Sequence, residues 1–474
     1  MHIKGQFSGM SFCSSGIKLQ VLNNTHITIK VERNNPLIKL SNQIDWQNLM
    51  DIVLPDLKKT TSKLKWWLGR KLKIRIHLAV YVLQEIFDMN DRETEKAIKE
   101  NAVYRVFCGE TLVDKWHCPD HTKIEEFRSR LSPDTQNALA NETSRLAVEL
   151  GFGKPCNTDI DSTIQEANIA YPNDVNMMLR FTLLAKKVAD YMNKTIGCFM
   201  LDPILVSYKE VKKLSRKYFF SKYTDKKEEK TKILTEIWCC AFDYTATVRK
   251  YMKVLLDYDW VHMPKNIKKS ATLLQTYSKE YFMKSIQYVT NNKTVKGKLL
   301  SLHAFKVEFF NKNKPDKKHQ FGRAFQLGRI DGNFLFIAKS TSIRMPDADS
   351  LPVMLKTHEK LFGTGKLKSI STDKAYYSKE NEKRLIELKI NPLGLQKPGG
   401  RQLNGEEKNI ETELSNRRSG IEPLIGHTKH GGQLDRSRMK SDNTTESAAY
   451  RSVGGFNFRQ MLRYLGGEVA EIKI

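Results

Sequence analysis

A short strand pattern followed by a long helical stretch constrains this chain most. Asp159-Ile160-Asp161-Ser162-Thr163-Ile164 alternates polar and apolar residues, as a half-buried strand does. Helical periodicity then runs from Val175 to about Lys293, with mixed-charge faces such as Glu210 to Lys232. Only after it do strand signals dominate, at Leu299 to Phe310, Arg323 to Ile330, Asn333 to Ala338 and Leu367 to Thr372. Asp331-Gly332 between two of these marks a hairpin turn. An isolated strand needs partners, so the economical reading is one α/β domain interrupted by a helical insertion. A meander that gives way to strand–helix units suits a mixed sheet flanked by helices.

Upstream, Ile44 to about Leu150 reads as a bundle of short helices. Asp45 is placed to cap Trp46 to Val53, Ile74 to Phe87 is a long apolar helix, Asn90 or Asp91 caps another, and Pro119-Asp120 opens the helix Ile124 to Leu131. Residues 1–40 read as irregular or loosely strand-like. Downstream, helical signals return at Ser378 to Leu388 and from Glu422 to the end. Lys397 to Arg418, rich in Gly, Asn, Glu and Lys, reads as a mobile loop.

The chain has 474 residues and a net charge of +26, which favours a polyanionic partner. No run of 18 apolar residues exists, and Met1 to Lys30 lacks the charged head and apolar stretch of a signal peptide, so no membrane role and an intracellular location are expected. Lys58 to Arg75 concentrates the charge, with eight Lys or Arg, no acid, and Trp66 and Trp67 in the middle. Cations release counterions from phosphates and aromatic rings stack on bases, which makes Lys63, Lys65, Trp66, Trp67, Arg70, Lys71 and Lys73 candidate DNA contacts. A solvated loop anchored by its tryptophans is the plainer alternative. The seven cysteines are scattered and odd in number, against a disulfide framework. Cys108, His117, Cys118 and His121 cluster without the paired spacing of a structural zinc site, so ordinary thiols are expected.

Three acids fall where open sheets build sites. Asp161 is on the first strand, Asp373 closes the strand Leu367 to Thr372, and Glu422 begins a helix. Carboxylates from separate elements can converge on two Mg²⁺ ions and serve phosphodiester chemistry. Taken singly, Asp161 and Asp373 read equally as caps and Glu422 as a surface ion-pair partner, and Asp159 could replace Asp161. Arg418, Glu422 and Lys429 recur at steps of four and seven, which share one helix face. Pro423 is tolerable if the helix begins near Ser419 or Gly420.

At these residues the chain resembles the bacterial insertion-sequence transposases of the DDE class. Asp161-Ser162-Thr163 with Glu166-Ala167-Asn168 and Ala170-Tyr171-Pro172-Asn173-Asp174 is similar to the segment around the family's first acid. Thr372-Asp373-Lys374-Ala375-Tyr376-Tyr377-Ser378 is similar to the second, Arg417 to Lys429 to the third, and Gly455-Phe456-Asn457-Phe458-Arg459 to the closing helix. Three residues separate Arg418 from Glu422 and six separate Glu422 from Lys429, as in the Tyr-Arg-Glu-Lys signature; Ser415 stands where the tyrosine would be.

The resemblance implies a ribonuclease-H-like mixed sheet with a helical insertion, preceded by an all-α DNA-binding domain. On that reading 1–40 is an irregular segment, 41–150 binds DNA, and 151–474 is catalytic, with the insertion at about 175–295. It implies that Asp161, Asp373 and Glu422 hold two Mg²⁺ ions, with Mn²⁺ able to substitute, while Arg418, Lys429 and Arg417 grip phosphates. It further implies terminal inverted repeats and target DNA as partners, a homodimer on DNA, and a cytoplasmic, nucleoid-associated location. The rival readings are an inactive relic that only binds repeats, and a nuclease of the same fold without strand transfer.

Overall fold

Side-chain oxygens set ahead of apolar runs start the helices of the first third of the chain. Asn90 Oδ1 accepts the N–H groups of Arg92 and Glu93, and a Glu93 carboxylate oxygen accepts the Asn90 N–H, closing a capping box. Asp120 and Ser132 cap the next two long helices, with Pro133 at a first-turn position where a missing N–H costs nothing. The structure is a computed structural model that describes residues 2–6, 12–14, 17–19, 26–60, 73–109, 118–196, 202–220, 227–259, 262–291, 295, 297–311 and 319–466.

The N-terminal segment, expected to be irregular or loosely strand-like, contains two small antiparallel pairs among its described residues. β1 (His2–Gln6) pairs with β4 (His26–Lys30), and β2 (Phe12–Ser14) with β3 (Ile17–Leu19). Among the described residues seven helices follow: α1 (Pro36–Gln43), α2 (Trp46–Thr60), α3 (Ile74–Phe87), α4 (Asp91–Glu100), α5 (Ala102–Phe107), α6 (His121–Arg130) and α7 (Pro133–Glu149).

The sheet that carries the site is five-stranded and mixed. It comprises β5 (Lys154–Glu166), β6 (Glu308–Asn311), β7 (His319–Asp331), β8 (Phe334–Ile337) and β9 (Ser369–Thr372). β5 is central, antiparallel to β7 with Asp161 opposite Leu327, and parallel to β9 with Ile160 opposite Thr372. β8 pairs antiparallel with the second half of β7 across the expected turn, where Gly332 has φ of 90° and Asn333 of 65°. The strand expected over Leu299 to Phe310 shrinks to β6, because Leu299 and Leu302 pack on neighbouring helices instead of on a pleated face.

The outer edge of β8 is closed by two buried asparagines. Asn457 Oδ1 accepts the Leu335 N–H at 2.9 Å, and its amide donates to the Leu335 carbonyl at 2.6 Å. Asn141 repeats the arrangement on Ile337, at 2.9 Å in both directions. Each amide mimics a neighbouring strand, so the edge presents no open backbone groups there.

C-terminal to the sheet's antiparallel strands come α13 (Asp347–Phe362), packed over β5 and β7, then α14 (Lys379–Glu387), α15 (Gly405–Ser419), α16 (Ile421–His430) and α17 (Asp442–Tyr464). The stretch expected as a mobile loop is largely α15. Asn404 and Glu407 cap it reciprocally, but Leu414 is its one residue buried, so it shows almost no apolar periodicity. Residues 431–441 break the helix expected from Glu422 onward, and Asp435 to Ser437 bond alongside Glu166 at the end of β5.

The N-terminal helices do not stand apart from the sheet. Residues 1–168 and 309–474 form one compact unit, in which α17 packs against α3, α7 and β8. Gly455 makes this approach possible, since a Cβ there would lie 2.2 Å from the Glu85 carbonyl oxygen. One apolar core accordingly runs from Leu37 and Leu83 to Phe334 and Phe336.

The second unit, 169–308, is helical and wider than the expected insertion. It holds α8 (Asp174–Ile196), α9 (Asp202–Phe220), α10 (Lys227–Asp259), α11 (Lys265–Leu273), a π-helical turn (Leu274–Ser278) and α12 (Lys279–Asn291). Phe181, Tyr281 and Phe282 lie at the centre of its own core. Asp174 near its start accepts the Tyr281 hydroxyl and pairs with Lys298 near its end at 2.8 Å. Among the described residues no helix is long and apolar enough to cross a membrane.

Candidate active site

Parallel pairing of β5 with β9 sets two acids side by side. Because Ile160 lies opposite Thr372, the next residue on each strand is an aspartate, Asp161 on β5 and Asp373 at the end of β9. Asp161 accepts the Ser162 N–H at 2.8 Å, and Asp373 accepts the Ala375 N–H at 2.7 Å, capping a single 3₁₀ turn. That cap is the plain role expected of Asp373, and it leaves a second carboxylate oxygen. Below them Tyr376 is buried and donates to Gln326, whose amide donates to Asp347 at 2.8 Å. Burial and the nearby Asp347, Asp161 and Asp373 hold the Tyr376 phenol well above its usual range.

Glu422 comes from the break between α15 and α16. Pro423 has no N–H and its ring opposes the carbonyl four residues back, that of Ser419, so a continuous helix is interrupted there. Gly420 ends α15 and begins α16, which leaves Pro423 in the first turn. Glu422 is in that turn too, where the positive helix end favours a carboxylate. Arg418 bridges two of the acids, 3.1 Å from Glu422 and 3.7 Å from Asp161. Burial pushes the Asp161 carboxyl up; the Ser162 N–H and Arg418 pull it down, and Asp373 and Glu422 push it up again. Asp161 therefore senses both of the other acids, although among the described residues no three His, Cys, Asp or Glu side chains are gathered around one point as ligands.

The remaining expected residues separate. Asp159, the alternative to Asp161, is buried and salt-bridged by Arg417 at 2.7 Å and Arg329 at 3.1 Å. Burial nonetheless raises its carboxyl above the usual range, against the pull of both arginines. Arg417, expected to grip phosphate, also donates to Ser369 at 2.7 Å, so its guanidinium is committed inside the fold. Lys429 lies half-buried in the last turn of α16. Of the basic stretch, Lys63, Lys65, Trp66, Trp67, Arg70 and Lys71 fall outside the described residues; Lys73 is exposed at the start of α3. Arg75 turns inward, over the Trp46 ring and onto the Phe107 carbonyl, and burial lowers its guanidinium to about 10.

The expected thiols are ordinary in setting. Cys108 is in the core, burial raises Cys118 to about 11, and His121 is bound by Glu95 at 2.8 Å; His117 falls outside the described residues. Sequence reasoning missed Arg329 and Gln326. Arg329 faces Asp159 across the β5–β7 ladder, so only the strand register would have revealed it.

Residues 26–130 match the family model of a transposase domain (DUF772). The match supports a transposase family. It ends with α6, before β5, so the three carboxylates lie outside it. A protein of Rhizobium meliloti described as uncharacterized protein ORF8 in the nfe locus is 24% identical over 109 residues, which are 22% of this chain and 53% of that protein. The chain thus spans about half the length of this curated relative. No solved structure matches.

Proposed function

We propose that this chain is a DNA transposase that cuts DNA at the ends of an insertion sequence and joins them to target DNA. The observation that carries the reading is the register of β5 on β9, which sets Asp161 beside Asp373 with Glu422 within electrostatic reach. The transposase-domain match over the preceding helices supports it independently. An antiparallel meander extended by a parallel strand also supports a ribonuclease-H-like sheet.

The donor set fits a hard cation, since all three groups are carboxylates and two follow paired positions on adjacent strands. Asp161, Asp373 and Glu422 would hold two Mg²⁺ ions, or Mn²⁺, which when bound activate an attacking oxygen and stabilise a leaving one. The protein's own contribution is positioning. Burial of Asp161 and the cap on Asp373 fix two carboxylates, while Glu422, 60% exposed, is free to turn from Arg418. Arg418 carries a permanent charge suited to orienting a scissile phosphate, with Lys429 further along the same helix; neither is a base at neutral pH. The positive charge of the chain fits terminal repeats and target DNA as partners, and two ends cut together favour a homodimer on DNA.

The test is cleavage and strand transfer on the DNA flanking the coding region, with Mg²⁺, for the unaltered chain and Asp373→Ala. The variant should bind the ends and neither cut nor join them. An Asp373→Ala chain that cuts and joins normally would show that the carboxylate assignment is wrong.

A further inference from the structure

α9 presents two unlike faces. Val211 and Ser215 are buried, with Tyr208, Leu214 and Tyr218 half-buried against the helical core of 169–308. On the opposite side Lys209, Lys213, Arg216 and Phe220 recur at steps of four, three and four, which places them in one stripe along the helix. Lys212 and Lys217 flank the stripe, and all five cations are exposed. Over 209–220 the one acid is Glu210, which lies with Glu236 and Asp243 around Cys240, toward α10.

Surface helices usually alternate charge and pair it at four-residue steps, as Lys186 does with Asp190 on α8. Here, among the described residues, no acid pairs with any of the five cations. The stripe ends in an apolar ring: Phe220 is 84% exposed, beside Phe219 at 48%. Two adjoining exposed phenylalanines at the end of an unneutralised basic stripe suit a partner that is anionic along its length and has flat apolar faces. A nucleic acid strand has both properties; a lipid surface would be met by apolar residues along the stripe, not at one end.

We propose that α9 is a second DNA-docking surface, separate from the carboxylate site. Lys209, Lys213 and Arg216 lie against phosphates of one strand, and Phe220 stacks on a base left unpaired where the duplex ends. The binding requires no metal and uses none of Asp161, Asp373 or Glu422, so it stands apart from the catalytic reading.

The test uses the full chain in chelator, with labelled duplex DNA carrying a single-stranded overhang, and binding is followed by anisotropy across a salt series. Lys209→Ala/Lys213→Ala/Arg216→Ala should lower the slope of log affinity against log salt by about 2.7, from about 0.9 per phosphate contact. Phe220→Ala should weaken overhang binding about 5- to 150-fold and leave blunt duplex unchanged. The control Lys356→Ala/Lys360→Ala/Lys366→Ala removes the same charge from exposed positions of the other unit. An equal slope loss in that control means that only net charge is felt, and overturns the proposal. So does an unchanged slope in the α9 triple, or a loss confined to binding of anionic vesicles. All substituted positions are exposed, so far-UV circular dichroism and melting should match the unaltered chain.

Discussion

Asn457→Ala tests whether side-chain amides close the sheet edge at β8. Asn457 is fully buried and makes three hydrogen bonds: from the Leu335 N–H, to the Leu335 carbonyl, and to Thr143 at 2.8 Å. Thr143 keeps its own bond to Ala140 in the variant. The loss therefore falls on the N–H and C=O of Leu335, which is itself fully buried. An unsatisfied buried group costs about 1–3 kcal/mol, so two cost about 2–6 kcal/mol. A chain with two compact units has no single unfolding equilibrium, so the readout is local: amide hydrogen exchange over 333–338. At the lower bound, exchange at Leu335 should quicken about 30-fold, since 1.4 kcal/mol is tenfold. Ile337, held by Asn141, should lose less protection. Unchanged exchange at Leu335 would refute the edge-closing argument, and equal loss at both amides would show that the two clamps are one cooperative device.

Removing a partner of Asp159 should be severe: Arg417→Met leaves a carboxylate 4% exposed with Arg329 alone, and amide-exchange protection along β5 should fall by about 3–5 kcal/mol. Gly455→Ala drives a methyl onto the Glu85 carbonyl and should cost about 1–3 kcal/mol, with α3 and α17 exchanging faster. Asp91 is raised by burial but lowered more by its bonds to Arg128 and Gln84, so its carboxyl ends below the usual range. A lowered carboxyl contributes stability that is full above the unfolded value near 4 and lost as pH falls through the folded one. The difference in amide-exchange protection over α4 between the unaltered chain and Asp91→Asn should therefore be constant at neutral pH and shrink below about pH 4.

What could be read from the residues was whatever leaves a local trace. The caps at Asn90 and Asp120, the Asp331-Gly332 turn and the isolated strand at Asp161 each involve neighbours a few positions apart, and each is where it was expected. α15 left no trace, because a helix with one buried residue has no apolar stripe to detect. The same limit applied to the site. Asp161, Asp373 and Glu422 could be nominated from strand ends and spacing, but the pairing of Arg417 with Asp159 depends on a register shared by β5 and β7 and on a helix from far along the chain. Nor could composition show that the N-terminal helices share a core with the sheet, since that depends on a glycine meeting a distant carbonyl.

The pairing of β5 with β7 also sets an order of assembly. Glu166 lies opposite Gly322, and the Ala167 N–H bonds to the Phe321 carbonyl, with all of 169–308 strung between them. Closing so long a loop in an unfolded chain costs about 3 kcal/mol more than closing a tight hairpin. The ion pair of Asp174 with Lys298 joins the start and end of that segment. Once the helices have folded, the sheet meets a short tether instead of a long one. The insertion then acts as a timer: loosening its core at Phe282 should slow formation of the distant strands while leaving every contact within them intact.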